Sequence, residues 1–282
     1  MLLETHIDGY IRDKVAMSID RLKYFEPKEG YYLAFSGGKD SQVIYHLALE
    51  AGVKFDAHYN VTGIDPPELI YFMRKNYPDI KNEMYKKSMF DLIENRGLPT
   101  RMSRFCCEVL KEHGGEGRIC VTGVRWAESN ARSNRRPFEI VTAKKEDKKL
   151  FNDNDKDRRL FENCMQKGKR VVNPIIDWSD EDVWEYLNSR GIEHCKLYDE
   201  GCKRLGCIGC PLSSNAIEEL ERYPKFYENY FKAIERFVPK YLERCEKKNR
   251  TPFRSTAQEW MDWWLDRNSA TIDYSDSFLE ED

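Results

Sequence analysis

Apolar positions along the chain alternate between two spacings, and that alternation sets the expected order of elements. Ile11, Val15, Ile19 and Leu22 recur at helical spacing, so residues 1–27 are expected to be a helical lead-in. Tyr31 to Phe35 then form a short apolar run of strand length, which stops at Ser36-Gly37-Gly38-Lys39-Asp40-Ser41. Val43, Ile44, Leu47 and Ala48 return at helical spacing and run out near Gly52. Phe55 to Val61 predict a second strand, Glu68 to Asn76 a helix opened by proline, and Ile119 to Val124 a strand ending in a glycine turn. Ser179, with Asp182 three residues on, predicts a capped helix start after the run Val171 to Ile176. Strands alternating with helices predict an α/β protein: a parallel sheet with helices on both faces. Residues 216–270 read as helical and aromatic, with Trp260, Trp263 and Trp264 expected in a core.

Composition narrows the class. The chain has 282 residues, of which 40% are hydrophobic and 34% charged, enough for a folded core. Lys and Arg number 46 against 49 acids, a formal charge of -3, which excludes a polycation that coats nucleic acid but not a local basic cleft. No run approaches the ~20 apolar residues that span a bilayer, and the first ten residues lack an apolar signal core, so a cytoplasmic setting is expected. Residues 142–170 are mostly charged and are expected as a solvated excursion; a basic flap over an anion is the sharper alternative. Residues 271–282 are expected as a frayed acidic tail.

Nine cysteines in a reducing compartment are not expected to form disulfides. Four carry spacing: the adjacent pair Cys106-Cys107, and Cys207 with Cys210 as a CxxC pair. Four thiolates suit an iron–sulfur cluster or one zinc ion, and spacing alone leaves both open. Cys202 is a spare thiol beside them.

The richest local signal is Ser36 to Ser41. Paired glycines let backbone amides approach phosphate oxygens, and the helix that follows offers unpaired N–H groups and its positive end. Ser36 and Ser41 can donate hydroxyl hydrogen bonds, Lys39 can neutralise phosphate charge, and Asp40 can orient the loop or help hold Mg²⁺. The spacing is neither GxxxxGK[ST] nor GxGxxG.

This string resembles the PP-loop of the ATP pyrophosphatase superfamily. Asn60-Val61-Thr62-Gly63 with Pro67-Glu68, Thr122-Gly123-Val124-Arg125 with Glu128-Ser129 and Arg132, Asn173-Pro174-Ile175 with Asp182-Val183-Trp184, and Leu197 to Gly201 leading to Gly206-Cys207 are similar to successive motifs of the phosphoadenosine phosphosulfate (PAPS) reductase family. The resemblance covers about residues 30–215. It implies an adenine nucleotide alpha hydrolase-like, Rossmann-like domain over 28–215. It also implies nucleotide binding by Ser36, Gly37, Gly38, Lys39, Asp40, Ser41, Thr62, Gly63, Gly123, Arg125 and Arg132, with Lys39, Asp40 and Arg125 catalytic.

The CC…CxxC set is similar to that of the iron–sulfur members, the adenylylsulfate-type reductases and the DndC-like DNA phosphorothioation proteins. That implies a [4Fe–4S] cluster on Cys106, Cys107, Cys207 and Cys210, with zinc the alternative. Two departures bear on the reaction. Sulfonucleotide reductases carry an altered loop, whereas Ser36–Ser41 is intact. They also use a C-terminal cysteine nucleophile, and no cysteine follows Cys245. The expectation is therefore an enzyme that binds ATP–Mg²⁺, cleaves it between the α and β phosphates and adenylates a substrate, linked to sulfur transfer. The implied partners are a sulfur donor or thioredoxin-like reductant and a nucleic-acid acceptor. A sulfite-forming adenylylsulfate or phosphoadenylylsulfate reductase is the alternative, and a non-catalytic nucleotide sensor the second.

Overall fold

A computed structural model describes residues 1–5, 11–112, 114–130, 132–141, 149–153 and 168–266. They fall into two compact units, each assembled from separated stretches of chain. The first comprises Met1–Asn60, Glu68–Glu83 and Gly114–Arg204; the second comprises Val61–Pro67, Met84–His113 and Leu205–Asp282.

The first unit opens with a two-stranded antiparallel hairpin, β1 (Leu3–Thr5) and β2 (Ile11–Asp13), followed by α1 (Lys14–Tyr24). This corrects the expected helical lead-in over 1–27. Asp13 is the reason the helix starts where it does, because its carboxylate accepts the Ala16 amide at 3.0 Å and caps the first turn. The face α1 buries is also more polar than its apolar repeat predicts. Lys14, Ser18, Arg21 and Leu22 are the buried positions. Ser18 and Arg21 both donate to the Pro174 carbonyl, Arg21 pairs with Asp177 at 2.8 Å, and Lys14 pairs with Asp182 at 2.7 Å. Satisfied polar groups can be buried where unsatisfied ones cannot.

A seven-stranded sheet follows, in the order β5-β4-β3-β6-β9-β7-β8. Its strands are β3 (Tyr31–Ala34), β4 (Phe55–Val61), β5 (Lys81–Met84), β6 (Ile119–Val121), β7 (Phe138–Val141), β8 (Lys149–Phe151) and β9 (Lys169–Val172). β4, β3, β6 and β9 are parallel, while β7 is antiparallel to both β9 and β8. Tyr31, Tyr32 and Leu33 are all buried, as a central parallel strand covered on both faces requires. The chain leaves β3 toward β4 on one side, and the sheet continues through β6 on the other. The C-terminal end of β3 is thus a topological switch point, where open α/β sheets bind ligands.

Helices α2 (Lys39–Ala51) and α3 (Pro67–Asn76) follow β3 and β4, and α6 (Asp180–Ser189) follows β9. α2 buries Val43, Ile44, Leu47, Ala48 and Ala51 and ends at Gly52, φ 68°. The expected cap at Ser179 is present as a full reciprocal box with Asp182. The expected excursion over 142–170 includes β8, an edge strand, and the start of β9; residues 142–148 and 154–167 lie outside the described residues, as does the tail 271–282.

Asp182 is fully buried, and burial pushes its carboxyl up; hydrogen bonds led by that from Lys14 outweigh this and hold it down at about 2. A depressed folded value stabilises above the unfolded pKa and is lost as pH falls through the folded one. Asp182 should therefore contribute roughly 2 kcal/mol at neutral pH, fading between about pH 4 and pH 2. Denaturant titrations of wild type and Asp182→Asn should differ at pH 7 and converge at low pH; an equal gap at both would refute the assignment.

The second unit is mainly helical. α4 (Met89–Arg96) and α5 (Phe105–Lys111) join α7 (Ala216–Arg222), α8 (Pro224–Lys247) and α9 (Ala257–Leu265). Its core stacks Trp260 edge-on to Phe237 and Tyr241, and Trp264 donates to the Pro99 carbonyl at 2.8 Å. The tryptophans are core residues, as expected. The expected boundary at residue 215 is not where the chain divides. All four spaced cysteines and Thr62-Gly63 group with the C-terminal helices instead. No helix among the described residues is long and apolar enough to cross a membrane.

Candidate functional site

In the first unit, the loops after three neighbouring parallel strands meet. The β3 loop is Ser36 to Gly38, which runs into α2 with Gly38 as an N-cap that has no side-chain capping bond. Gly37 has φ +73°, and a methyl group there would stand 2.6 Å from the Met73 sulfur, so both conformation and space require glycine. Ser41 Oγ donates to the Gly38 carbonyl at 2.8 Å and lies 3.3 Å from Ser36 Oγ. The Lys39 amide donates to the Tyr198 hydroxyl at 2.9 Å. Lys39 itself is 6% exposed, and its ammonium has Asp180 at 3.3 Å, Asp40 at 3.7 Å and the Lys203 carbonyl at 3.4 Å.

The β6 loop supplies Gly123 and Arg125. A side chain at Gly123 would stand 3.0 Å from the Asp40 backbone carbonyl, so glycine lets the two loops close on each other. Arg125 is 1% exposed and fully committed. Its Nε donates to Asp40 at 2.7 Å, one terminal nitrogen to Asp180 at 2.7 Å, and the other to the Trp178 carbonyl at 3.2 Å. Burial works against its charge, but Asp40 and Asp180 more than reverse this and raise its pKa. Burial likewise pushes the Asp40 carboxyl above the ordinary carboxylate range despite Arg125 and Lys39. Arg132 is paired with Glu128, whose carboxylate also accepts the Arg125 amide at 3.0 Å.

The second unit holds the other expected residues. Thr62 Oγ1 donates to Asp65 at 2.7 Å and accepts the Ile64 amide. The Ile64 carbonyl accepts the Ile208 amide at 2.8 Å, which ties this turn to the CxxC loop. That loop is held further by Glu219, which accepts the Gly209 amide at 3.0 Å, and by Tyr230, which donates to the Ile208 carbonyl at 3.0 Å. Cys106 is hydrogen-bonded to Cys107, which lowers the Cys107 thiol and raises that of Cys106; Arg104, 3.5 Å from the Cys107 sulfur, lowers Cys107 further. Burial pushes Cys207 up to about 12, opposed by Lys111. Cys106 feels the charge of Cys107, Cys207 and Cys210, so the four sulfurs share one neighbourhood. Thiolates of this kind suit a soft metal centre, and Arg104 and Lys111 offset their charge. Among the described residues, however, no three His, Cys, Asp or Glu side chains are gathered closely enough to hold a metal ion.

A family model described as the phosphoadenosine phosphosulfate reductase domain matches residues 30–213. The chain belongs to the PAPS reductase family. Within and around that family, it is 26% identical to an uncharacterized protein of Methanocaldococcus jannaschii over 83% of this chain and 47% of that one. It is 23% identical to a probable FAD synthase of Schizosaccharomyces pombe over 89% of this chain and 85% of that one. It is 27% identical to sulfate adenylyltransferase subunit 2 of Shewanella woodyi over 59% of each. The chain spans about half the length of the Methanocaldococcus relatives it matches.

Of the expected nucleotide residues of this PAPS reductase family member, the structure brings together Ser36 to Ser41, Gly123 and Arg125, with Arg132 reached through Glu128. Thr62 and Gly63 belong to the other unit. Sequence reasoning did not assign Tyr198 and Asp180 to the site. Tyr198 lay inside a motif quoted for the resemblance, which was its signal. Asp180 stands among three acids in the first turn of α6, a pattern that by itself signals only a favourable helix start.

Proposed function

We propose that this chain binds ATP–Mg²⁺ on Ser36–Ser41 and transfers the adenylyl group to an acceptor. The observation that carries the reading is the loop itself: two glycines and a nearly buried lysine at the start of a helix whose N-cap, Gly38, has no side-chain capping bond, at the switch point of a parallel sheet. An acceptor oxygen forms a bond to the α phosphorus, the bond from that phosphorus to the bridging oxygen breaks, and pyrophosphate leaves with the electron pair. Lys39 and the loop amides stabilise the charge that develops on the leaving group. Asp40 and Arg125 act as a fixed pair that holds the loop, with Gly123 allowing the close approach. The likeness to a sulfate adenylyltransferase subunit supports adenylyl transfer as the class of reaction. Pyrophosphate release from ATP with Mg²⁺, alone and with candidate acceptors, tests it. Thiol-dependent sulfite release from a sulfonucleotide, or tight binding without turnover, would replace it.

In the same reading, Cys106, Cys107, Cys207 and Cys210 would hold a [4Fe–4S] cluster, which would supply sulfur-transfer chemistry. Protein purified without oxygen should contain about four irons per chain and matching sulfide, with visible absorbance that Cys207→Ser abolishes. Zinc without sulfide would overturn the cluster.

A further inference from the structure

Lys39 poses a problem of charge that the loop has to solve. A lysine that is 6% exposed has lost most of its contact with water, and an unpaired buried cation is costly. Two carboxylates approach it, and they are unlike. Asp40 is on the same helix turn, its side chain is 23% exposed, and its nearer bond is to Arg125 at 2.7 Å. Asp180 approaches Lys39 more closely, at 3.3 Å against 3.7 Å, yet its side chain is 62% exposed. It is the first residue of α6, where the positive helix end and Arg125 keep the carboxylate charged. One oxygen of Asp180 serves Lys39 and Arg125 together. Asp40 is thus built in, while Asp180 has open solvent to turn into.

We propose that Asp180 is an exchangeable counter-ion of Lys39: in the nucleotide-free protein it holds the lysine in the loop, and a phosphate of the incoming nucleotide takes its place. The proposal rests on the reading that the loop binds a nucleotide. Its consequences run in two directions. Asp180 keeps the loop cation paired and placed before substrate arrives. It also competes with every anion that binds there, so affinity is reduced by the work of displacing it. A ligand without phosphate gains nothing from Lys39 and has no reason to displace Asp180, so the exchange favours phosphate-bearing nucleotides over nucleosides.

The test is equilibrium binding of α,β-methylene ATP, which needs no turnover, measured by calorimetry without Mg²⁺ and repeated with it. Asp180→Asn keeps an acceptor for Arg125 and removes the charge. It should bind the analogue about fivefold more tightly than wild type, and Asp180→Glu should restore the weaker binding. Adenosine should bind all three alike. A gain in affinity cannot come from damage to the fold, so this direction separates counter-ion exchange from a structural role. Equal or weaker binding by Asp180→Asn without Mg²⁺ would overturn the proposal. So would a loss seen only with Mg²⁺, which would make Asp180 a metal-holding group. If wild type binds no nucleotide, the reading of the loop falls as well; if it binds and the variant shows no gain, only the exchange is refuted.

Discussion

Lys39→Ala should lower pyrophosphate release from ATP about 10²- to 10³-fold, the size of effect seen when one group is removed from where transition-state charge develops. The fold should survive. Asp180 loses a partner but is 62% exposed and can be hydrated, and Asp40 keeps Arg125 at 2.7 Å. The melting temperature, and the iron content of protein purified without oxygen, should therefore stay near wild type. Steady-state pyrophosphate assays with a melting curve on the same preparation check both halves. A fall of less than about threefold would place the developing charge elsewhere, because a cation in direct contact with a leaving phosphate cannot be removed so cheaply. A large fall accompanied by unfolding would leave the chemical role unsupported.

Arg125→Leu should do the opposite: destabilise first, and inactivate as a consequence. Removing one partner of a buried pair strands the other, at roughly 3 kcal/mol. Asp40 would keep only the Lys39 ammonium at 3.7 Å, and the Trp178 carbonyl would lose its donor. Burial already holds the Asp40 carboxyl above its ordinary range, and without Arg125 it rises further. A raised folded value gives stability that is present at low pH and lost as pH rises through it. The deficit of Arg125→Leu should therefore be larger at pH 8 than at pH 5. Adding Asp40→Asn should recover much of it, since the stranded charge is then gone. Denaturant titrations of the two single variants and the double variant at both pH values decide this. A deficit independent of pH and additive between the two sites would show that Arg125 packs rather than pairs.

These two residues mark the limit of what could be read without coordinates. The run Tyr31–Phe35, the string Ser36–Ser41 and the helical repeat after it announce strand, loop and helix, because each is a local pattern with one backbone solution. The same holds for Phe55–Val61 and for Ser179 with Asp182. The strands Lys81–Met84 and Lys149–Phe151 gave no such signal. The first is exposed along its whole length, and the second is an edge strand in a charged segment. The apolar repeat of the first helix marks only part of its buried face: Leu22 is buried, but so are Lys14, Ser18 and Arg21. The burial of those three polar residues is invisible in the sequence because the groups that satisfy them, Asp182, Asp177 and the Pro174 carbonyl, lie more than 130 residues away.

The sequence by itself determined that a glycine loop follows the first core strand, that a later strand ends in a second glycine turn at Gly123, and that four cysteines occur as an adjacent pair and a CxxC pair. These follow from short-range constraints: glycine where a backbone must turn or approach closely, and thiols held at fixed offsets. Only the tertiary structure decided which charges face each other. Parallel pairing of β3, β6 and β9 brings three loops to one end of the sheet, so Arg125 is spent on Asp40 and Asp180, and Tyr198 meets the Lys39 amide. It also decided that Thr62, Gly63 and the cysteines share a unit with the C-terminal helices, because burial of one aromatic core gathers segments that the chain keeps far apart.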